Sequence, residues 1–391
     1  MTAVLALNVG SSSLKAAAFV LRGRRPQRIL TASHDGSVGE TELVVRNDGL
    51  THSLGPPGAH YRDGAAALLN MVERVLGETV AVGHRVVHGG TLSGTSVRLT
   101  PELVKKLRSF APFAPDHQEA NLAPAETLMQ ARPELVQFAT FDTSFHETIP
   151  DRARELPLPQ PTRGPLLKRY GFHGLSFRSV ARRMADRDLR RIVALHLGGG
   201  ASVCAIRDRA SVDTTMGATP LAGPMMTTRS GSVDPGVILY LLHQEGCDLD
   251  DMEDMLWHRS GLLGVSGQSG DLRDLVGSDD GRAQVAVDQF CEDLVRHTGA
   301  MAARLRGIDA LVFTGGAGVG QPLIRERVAG AFVWAGVALD AARNDAVTEA
   351  TILPRGNRVS RPNSAKQVWV LPNDEEREIA REVYDAMRRE A

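Results

Sequence analysis

Short apolar runs that end in glycine recur along this chain. The first ends at residues 10–13 (GSSS), the second at residues 198–200 (GGG) and the third at residues 315–318 (GGAG). The first two turns are followed at once by another apolar run, over residues 15–21 and 201–206, which indicates two β-hairpins. Apolar residues at every third or fourth position predict helices over residues 65–76, 101–110, 285–305 and about 373–389.

Strands that alternate with helices indicate an α/β fold, and the glycine hairpin in each half indicates an internally duplicated architecture. A chain of 391 residues with 42% hydrophobic content is long enough to form two domains. Prolines disfavour helix in a stretch near the middle of the chain, at Pro157, Pro159, Pro161 and Pro165. We therefore predict a linker over residues 150–165 and a first domain that ends at about residue 150.

The net charge and the cysteines limit the binding partners and the cellular compartment that we expect for this protein. The formal net charge is −1 at pH 7, so no broad positive surface is expected for nucleic acid or an anionic membrane. No apolar run approaches the roughly 20 residues of a membrane span, and the first residues lack the basic segment of a signal peptide. Three cysteines without CxxC spacing fit a reducing compartment. We expect a cytoplasmic protein without nucleic-acid or membrane partners.

The glycine turns are candidate anion sites. Glycine lets backbone N–H groups approach an anion without obstruction by a Cβ atom, and the first turn adds three hydroxyls and Lys15. One such turn alone is more often an ordinary hairpin, but three of them favour phosphate binding. The Walker A pattern and the G-x-G-x-x-G spacing are both absent, so a bound nucleotide needs a different kind of cleft.

Four charged or ionisable residues lie in segments that are otherwise apolar or rich in glycine. They are Arg85, Asp142, His173 and Arg229. Each alone has a structural explanation, namely a helix cap, a core histidine or an ion pair. Together with the glycine turns they suit phosphoryl transfer, because that reaction depends on positioning and on neutralising charge on the phosphoryl oxygens.

Several longer motifs carry a family resemblance. Residues 7–15 (LNVGSSSLK) resemble the N-terminal signature of acetate kinases, and residues 216–235, with their TRSG core, resemble the second signature. The resemblance continues, in the same order along the chain, through residues 83–90, 141–143, 170–174, 260–267 and 371–376. It therefore spans essentially the whole sequence.

The resemblance implies two ribonuclease-H-like domains of the actin, Hsp70 and sugar-kinase type, with mixed sheets flanked by helices and a cleft between them. Residues 1–150, completed by a helix over about residues 372–391, would form the N-terminal domain, and residues 151–371 the nucleotide-binding domain. The implied reaction is a reversible, in-line transfer of the γ-phosphoryl group of ATP to acetate or propionate, which gives acyl phosphate and ADP. A homodimer and Mg²⁺, or Mn²⁺ in its place, are implied as well.

The resemblance also implies roles for individual residues. Those implied in catalysis are Arg85, His117, Asp142, His173 and Arg229. Those implied in binding the acyl group are Arg85, Val87, Asp116, Phe172 and Pro220. Those implied in binding nucleotide or phosphate are Asn8, Ser12, Lys15, His196, Gly198, Gly199, Gly200, Asp271, Leu272, Arg273, Gly316, Ala317, Gly318, Val319 and Gly320. Asn8 and Glu375 are implied at the metal.

The sequence departs from the family pattern in both halves. Gly199 stands where the family has asparagine, Ser232 where it has aspartate, and Val319 and Gly320 where it has glutamate and asparagine. Asp116 replaces a leucine of the acyl pocket. It either turns outward or faces an acceptor that carries a hydroxyl or an amine.

Two further alternatives stay open. The donor could be pyrophosphate or another nucleotide, because two polar groups of the adenosine turn are missing. The protein could also be a non-catalytic sensor of nucleotide or acyl phosphate. Retention of the full set of charged candidates disfavours a sensor, since a binding protein does not need groups for a transition state.

Overall fold

The computed structural model describes residues 3–10, 13–22, 25–35, 43–47, 50–54, 61–76, 80–92, 94–159, 162, 164, 166–244 and 246–390. The chain divides into two compact units. Unit 1 comprises Met1–Phe145 and Asp374–Ala391, and unit 2 comprises His146–Asn373. Unit 1 is thus built from two separate stretches of the sequence, and unit 2 from the stretch between them.

The strands are numbered in chain order. They are β1 (Ala3–Val9), β2 (Ser13–Arg22), β3 (Arg25–Asp35), β4 (Leu43–Asn47), β5 (Leu50–Leu54), β6 (Val80–Val86), β7 (Ser96–Arg98), β8 (Gln137–Phe141), β9 (Arg191–Leu197), β10 (Ala201–Arg207), β11 (Ala210–Thr214), β12 (Ala310–Thr314), β13 (Asn357–Arg358) and β14 (Gln367–Val370). Both predicted hairpins are confirmed, as β1–β2 and β9–β10.

The helices follow the same numbering. They are α1 (Tyr61–Leu76), α2 (Pro101–Arg108), α3 (Pro115–Ala131), α4 (Asp151–Arg154), α5 (Gly174–Arg183), α6 (Pro235–Leu242), α7 (Leu249–His258), α8 (Gly261–Ser266), α9 (Leu272–Leu275), α10 (Gly281–Leu305), α11 (Gly316–Gly320), α12 (Pro322–Gly330), α13 (Ala341–Asp345) and α14 (Glu375–Glu390). Short 3₁₀ helices lie at Ala111–Phe113, Ser144–Thr148, Ala185–Arg187 and Val333–Ala335. The four helices predicted from apolar spacing are confirmed as α1, α2, α10 and α14.

The two units repeat one strand order. Unit 1 has the order β5-β4-β3-β2-β1-β6-β8-β7, and unit 2 has β11-β10-β9-β12-β14-β13. Without the β4–β5 hairpin, both sheets have the same arrangement. Three antiparallel strands end at β1 in unit 1 and at β9 in unit 2. Two strands parallel to β1 or β9 follow, and an antiparallel strand forms the edge. The predicted duplication of a mixed α/β domain is therefore confirmed.

Strand β1 is buried on both faces, and its successive side chains alternate between them. Leu5 and Leu7 belong to a core cluster that includes Leu68 and Leu69 of α1. Alternate residues of a strand point to opposite faces, so Asn8 lies on the other face. Helix α14 covers that face so closely that a Cβ on Gly83 of β6 would lie 2.6 Å from the Ile379 side chain.

Helix α10 forms much of the core of unit 2 against β10. Its buried residues follow helical spacing and include Ala286, Phe290 and Leu294. The helix begins at Asp280, whose carboxylate accepts hydrogen bonds from the backbone N–H groups of Arg282 and Ala283. In the described parts of the chain, no helix is both long enough and apolar enough to cross a membrane.

Candidate active site

In unit 1, polar side chains collect at the carboxyl ends of three adjacent parallel strands. Asn8 lies near the end of β1, Arg85 lies near the end of β6, and Asp142 directly follows β8. Such ends meet at one edge of a sheet, where ligands commonly bind in α/β proteins. The first turn of α14 joins them, because Asn8 Nδ2 donates to Glu375 Oε2 at 2.9 Å and to Glu376 Oε1 at 3.1 Å.

Arg85 links these groups. Its Nε and Nη2 donate to Asp142 Oδ2 at 2.9 and 2.6 Å, and its Nη1 donates to Asn8 Oδ1 at 3.2 Å. Burial by itself lowers the pKa of Arg85, but the negative charges of Asp142, Glu375 and Glu376 outweigh it and raise the pKa overall. The site therefore holds a permanent positive charge among carboxylates.

Glu376 is a member of this cluster to which the sequence analysis assigned no role. Burial and the charge of Glu375 raise its pKa, against the hydrogen bond from Asn8. Glu376 also lines a cavity of about 250 Å³ with Lys15. Lys15 on β2 pairs directly with Asn8 on β1, so both side chains lie on one face of the sheet. Ser12, its predicted companion, lies outside the described residues.

The oxygen donors of unit 1 suit a hard divalent cation with few protein ligands. Mg²⁺ usually takes one or two carboxylates and completes its shell with water and substrate phosphate oxygens. Asp142 and Glu375 offer two carboxylates, with oxygens 2.9 and 3.9 Å from Arg85 Nε. Among the described residues, no three His, Cys, Asp or Glu side chains form a metal cage. This donor set fits Mg²⁺ or Mn²⁺ better than a structural zinc site.

Helix α3 of unit 1 carries one acyl-binding candidate, Asp116, and is hydrogen-bonded to another, Val87. Val87 is buried, and its N–H donates to Asn121 Oδ1 of α3 at 2.9 Å. Asn121 Nδ2 in turn donates to the carbonyl of Val9 at 2.6 Å. Asp116 and His117 lie in the first turn of this helix. Asp116 is half-buried, and the helix dipole stabilises a carboxylate at that position.

In unit 2, a guanidinium and two imidazoles surround the glycine turn between β9 and β10. A Cβ on Gly200 would lie 3.2 Å from His173 Nε2 and 3.4 Å from Arg229 Nη1. The ring of His196 stacks on that of His173, with centroids 4.1 Å apart. The bare backbone of Gly200 therefore lets two of the predicted catalytic side chains converge.

Buried serines orient both histidines. His173 Nδ1 lies 2.8 Å from Ser202 Oγ, and His196 Nδ1 lies 2.8 Å from Ser176 Oγ. His173 also has φ of 57°, in the left-handed region that residues other than glycine rarely adopt. Such backbone strain persists where surrounding structure enforces it, often at functional sites. No motif distinguishes these two serines from others, so they could not be predicted from the sequence.

Arg229 lies among the remaining candidates of unit 2. Its Nη1 donates to the carbonyl of Pro220 at 3.3 Å, and its guanidinium carbon lies 5.4 Å from the centroid of the Trp257 ring. Phe172 is buried and directly precedes His173. The structure thus brings Arg229 to Pro220 and His173, and it adds Trp257 as an aromatic contact that the sequence analysis did not include.

Two of the departures from the family pattern have simple structural outcomes. A Cβ on Gly199 would meet nothing within 4 Å, so the turn has room for an asparagine but does not require one. Ser232 Oγ accepts a hydrogen bond from the N–H of Gly223 at 3.0 Å, and the N–H of Ser232 donates to the carbonyl of Gly223 at 2.8 Å. Ser232 therefore stabilises its own loop through its hydrogen bonds with Gly223.

A cavity of about 760 Å³ lies beside the glycine turns of unit 2. Its lining includes eight predicted nucleotide-binding residues, namely Gly198, Gly199, Asp271, Leu272, Arg273, Gly316, Ala317 and Gly320. The other lining residues are Thr227, Leu262, Gly270, Phe290, Gln321, Thr348, Glu349 and Ala350. Gly318 and Val319 are buried within α11 instead. The volume is in the usual range for a small-molecule or cofactor site.

Asp271 and Arg273 lie at one edge of this cavity and pair with each other. Arg273 Nε donates to Asp271 Oδ1 at 3.0 Å, and the backbone N–H of Arg273 donates to the same oxygen at 2.8 Å. The hydrogen bond from the Arg273 guanidinium lowers the pKa of Asp271. Asp271 also caps α9, so its carboxylate has a structural task in addition to any contact with a ligand.

A protein-family model described as the Acetokinase family matches residues 3–381. The chain belongs to the acetokinase family. It is 41% identical to the acetate kinase of Rhodopseudomonas palustris (strain TIE-1), over 97% of each chain. It is 38% identical to the acetate kinase of Methylocella silvestris, over 97% of this chain and 96% of that one. The predicted family is confirmed.

Solved acetokinase-family structures share the fold. The acetate kinase of Porphyromonas gingivalis matches with a TM-score of 0.84 and 32% identity, over 99% of each chain. A propionate kinase from Francisella tularensis subsp. tularensis SCHU S4 matches with a TM-score of 0.86 and 30% identity, over 98% of this chain and 99% of that one. As an acetokinase-family member, the chain is a phosphotransferase with a carboxyl group as acceptor.

Proposed function

We propose that this protein transfers the γ-phosphoryl group of ATP reversibly to the carboxylate of acetate or propionate, which gives acyl phosphate and ADP. The observation that carries the proposal is the convergence of His173 and Arg229 on Gly200, where a Cβ would lie 3.2 and 3.4 Å from their nitrogens. Cationic and N–H donors at one point stabilise the charge that develops on transferring phosphoryl oxygens.

In unit 2, we assign the phosphoryl group to the turn of Gly198, Gly199 and Gly200. Arg229 neutralises charge on its oxygens, and His173 donates a hydrogen bond to them. Ser202 holds the His173 ring and so keeps that hydrogen bond aligned. No general base is required, because the attacking carboxylate is already ionised at pH 7.

In unit 1, we assign the acyl carboxylate to Arg85, whose charge is fixed by its carboxylate neighbours. Asp142 and Glu375 would hold Mg²⁺, and Asn8 orients Glu375 through its hydrogen bond. When bound, Mg²⁺ neutralises charge on the phosphates of the nucleotide. His117 and Lys15 stand as further polar contacts to substrate and phosphate.

The acceptor is a simple short acid in this proposal. Asp116 is accounted for by its place in the first turn of α3, where the helix dipole stabilises it. Val87 in unit 1, and Phe172 and Pro220 in unit 2, keep the acyl-binding roles that the family resemblance implies. The alternative acceptor is a hydroxylated acid such as glycolate or lactate, whose hydroxyl Asp116 would face.

The donor is a nucleotide in this proposal. The cavity of about 760 Å³ next to Gly198 and Gly199 is much larger than pyrophosphate needs, and its size supports ATP over a donor without a nucleoside. Gly316, Ala317 and Gly320 with Asp271 and Arg273 would enclose the adenosine.

Detection of acyl phosphate as its hydroxamate tests the function. We expect product with ATP, Mg²⁺ and acetate or propionate, less with glycolate, lactate or glycine, and little with pyrophosphate as donor. Replacement of Arg229 by alanine should lower kcat by about 10³-fold, in line with the loss of an arginine that stabilises a phosphoryl transition state. A purified protein that binds ATP but forms no hydroxamate with any acid would instead be a sensor.

We also propose a homodimer that forms through α6. This helix is apolar almost throughout, yet its Val237, Leu239 and Tyr240 are exposed in the single chain. Exposed apolar patches of this kind favour protein contacts, and a second copy of the chain offers the same apolar face for a symmetric interface. Light scattering should give about twice the mass of one chain, and Tyr240→Glu should shift the mass towards the monomer.

The cytosol is the compartment that we propose for this reaction. Cys204, Cys247 and Cys291 are free thiols. Unpaired thiols persist in a reducing compartment. Fractionation of cells that express the protein would test this assignment.

A further inference from the structure

A carboxylate from outside the motifs described above faces the cavity of unit 2. Glu349 lies in the turn after α13, and Thr348 and Ala350 beside it also line the cavity. Cβ atoms on Gly316 and Gly320 would lie 3.7 and 4.0 Å from Glu349 Oε1. Within the described residues, Glu349 has no hydrogen bond and no ion pair within 4 Å, although its charge helps to raise the pKa of Arg273. Its oxygens are therefore open to a ligand.

Glu349 reaches the part of the cavity where the glycine turn lacks polar side chains. Val319 is buried in α11, and Gly320 has no side chain. A polar side chain at position 320 would begin 4.0 Å from Glu349 Oε1 and would extend into the same space. A polar group is thus present at this place, but it comes from a different element of the fold.

Arg325 holds the backbone two residues before Glu349 in position relative to α11. This fully buried side chain donates from Nη1 to the carbonyl of Gly318 at 3.1 Å, and from Nη2 to the carbonyls of Asn344 and Val347 at 2.7 and 3.2 Å. Val347 precedes Glu349 by two residues. The backbone near Glu349 is therefore held in place before a ligand arrives, which lowers the conformational entropy lost on binding.

A carboxylate in this cavity is suited to contact the nucleoside half of a nucleotide and not its phosphates. It repels phosphates, and it accepts hydrogen bonds from N–H and O–H groups. A nucleoside offers such donors on its base amine and on its ribose hydroxyls. Arg273, which lines the same cavity, already donates to Asp271, so Glu349 remains the acidic group that faces the glycine turn.

We propose that Glu349 recognises the nucleoside of the phosphoryl donor by accepting hydrogen bonds from its N–H or O–H groups. This inference rests on the proposed function, in which the donor is a nucleotide. It adds a specificity-determining residue to the glycine turn, in place of the groups missing at Val319 and Gly320.

Calorimetric titration of the full chain with ADP and with pyrophosphate tests the proposal. For Glu349→Ala we expect the Kd of ADP to rise about tenfold or more, the usual effect of losing a hydrogen bond to a charged group. The Kd of pyrophosphate should stay within about twofold, because it has no nucleoside. Glu326→Ala is the matched control, since Glu326 is an exposed glutamate on α12; it should leave both constants unchanged.

Two analogues distinguish the source of the hydrogen bond. If the loss in Glu349→Ala disappears with 2′-deoxyADP, Glu349 accepts from the ribose; if it disappears with inosine diphosphate, which lacks the 6-amino group, it accepts from the base. An ADP Kd that stays within twofold in Glu349→Ala overturns the inference. Because binding is measured without turnover, that result is separate from a failure of wild-type protein to form acyl phosphate, which would overturn the proposed function.

Discussion

Gly199 and Gly200 belong to one turn but have different surroundings. A Cβ on Gly200 would lie 3.2 Å from His173 Nε2 and 3.4 Å from Arg229 Nη1, whereas one on Gly199 meets nothing within 4 Å. We therefore expect Gly200→Ala to displace both side chains and to lower kcat by at least about tenfold, which corresponds to roughly 1.4 kcal/mol of transition-state stabilisation. Gly199→Ala is the comparison, and it should lower kcat less than Gly200→Ala does, because its Cβ would displace neither side chain.

Steady-state hydroxamate assays of the two variants, with circular dichroism to verify folding, check this prediction. Equal losses in both variants would show that the turn needs glycine for its backbone, and the contact with His173 and Arg229 would then not be the cause.

Among individual residues, those predictable from the sequence are side chains with unusual neighbours in the chain. Arg85 and His173 stand out because charged or ionisable groups are rare beside apolar residues and glycines. Ser202 does not stand out, because its importance lies in a contact with His173 across 29 positions. Glu349 lies in a polar turn, where a glutamate is unremarkable until the fold places it against Gly320.

At the scale of elements, one buried arginine joins three segments. Arg325 of α12 donates to carbonyls in α11 and α13 and to Val347, and burial lowers its pKa. Arg325→Met leaves these buried carbonyls without donors, each at a cost of about 1–3 kcal/mol if no water replaces the arginine. We expect about 3 kcal/mol or more of lost unfolding free energy and weaker ADP binding, measured by urea denaturation and calorimetry.

Arg327 on the same helix provides the control. It is exposed and pairs with Asp288 at the surface, where ion pairs contribute at most about 1 kcal/mol. Arg327→Met should therefore unfold close to wild type and bind ADP normally. If both variants lose the same unfolding free energy, the proposal that Arg325 stabilises the protein by joining the three segments is wrong.

The elements themselves were predictable where the signal is local. Helices α1 and α10 follow from apolar spacing, and the β1–β2 hairpin follows from two apolar runs around glycine. The strand order was not predictable from pattern alone, because the parallel neighbours β1 and β6 are separated by more than 70 positions. No local rule encodes such a pairing.

At the scale of the whole molecule, each unit contains a buried neutral histidine. Burial lowers the pKa of His84 in unit 1 to about 4, against its hydrogen bond with Gln137, and lowers the pKa of His146 in unit 2 to about 4 as well. The unfolded chain takes up a proton near pH 6.5, whereas the folded chain stays neutral down to about pH 4. Stability should therefore fall as the pH decreases through this window, by about 3 kcal/mol for each histidine.

Urea denaturation at pH 7 and pH 4.5 measures this loss. His84→Gln and His146→Gln should each reduce the difference in unfolding free energy between the two pH values, whatever they do to stability at pH 7. An unchanged pH dependence in both variants would assign the acid sensitivity to other groups.

Helix α14 has a consequence for how the chain folds as it is made. Residues 374–391 belong to unit 1, but they follow all of unit 2 in the sequence. A ribosome makes the chain from its amino terminus, so unit 2 is complete while one face of the first sheet still lacks its helix. Unit 1 therefore stays incomplete, with Asn8 and Arg85 uncovered, until residues 374–391 have left the ribosome. The half of the protein to which we assign the acyl carboxylate is therefore completed only after unit 2 has been made.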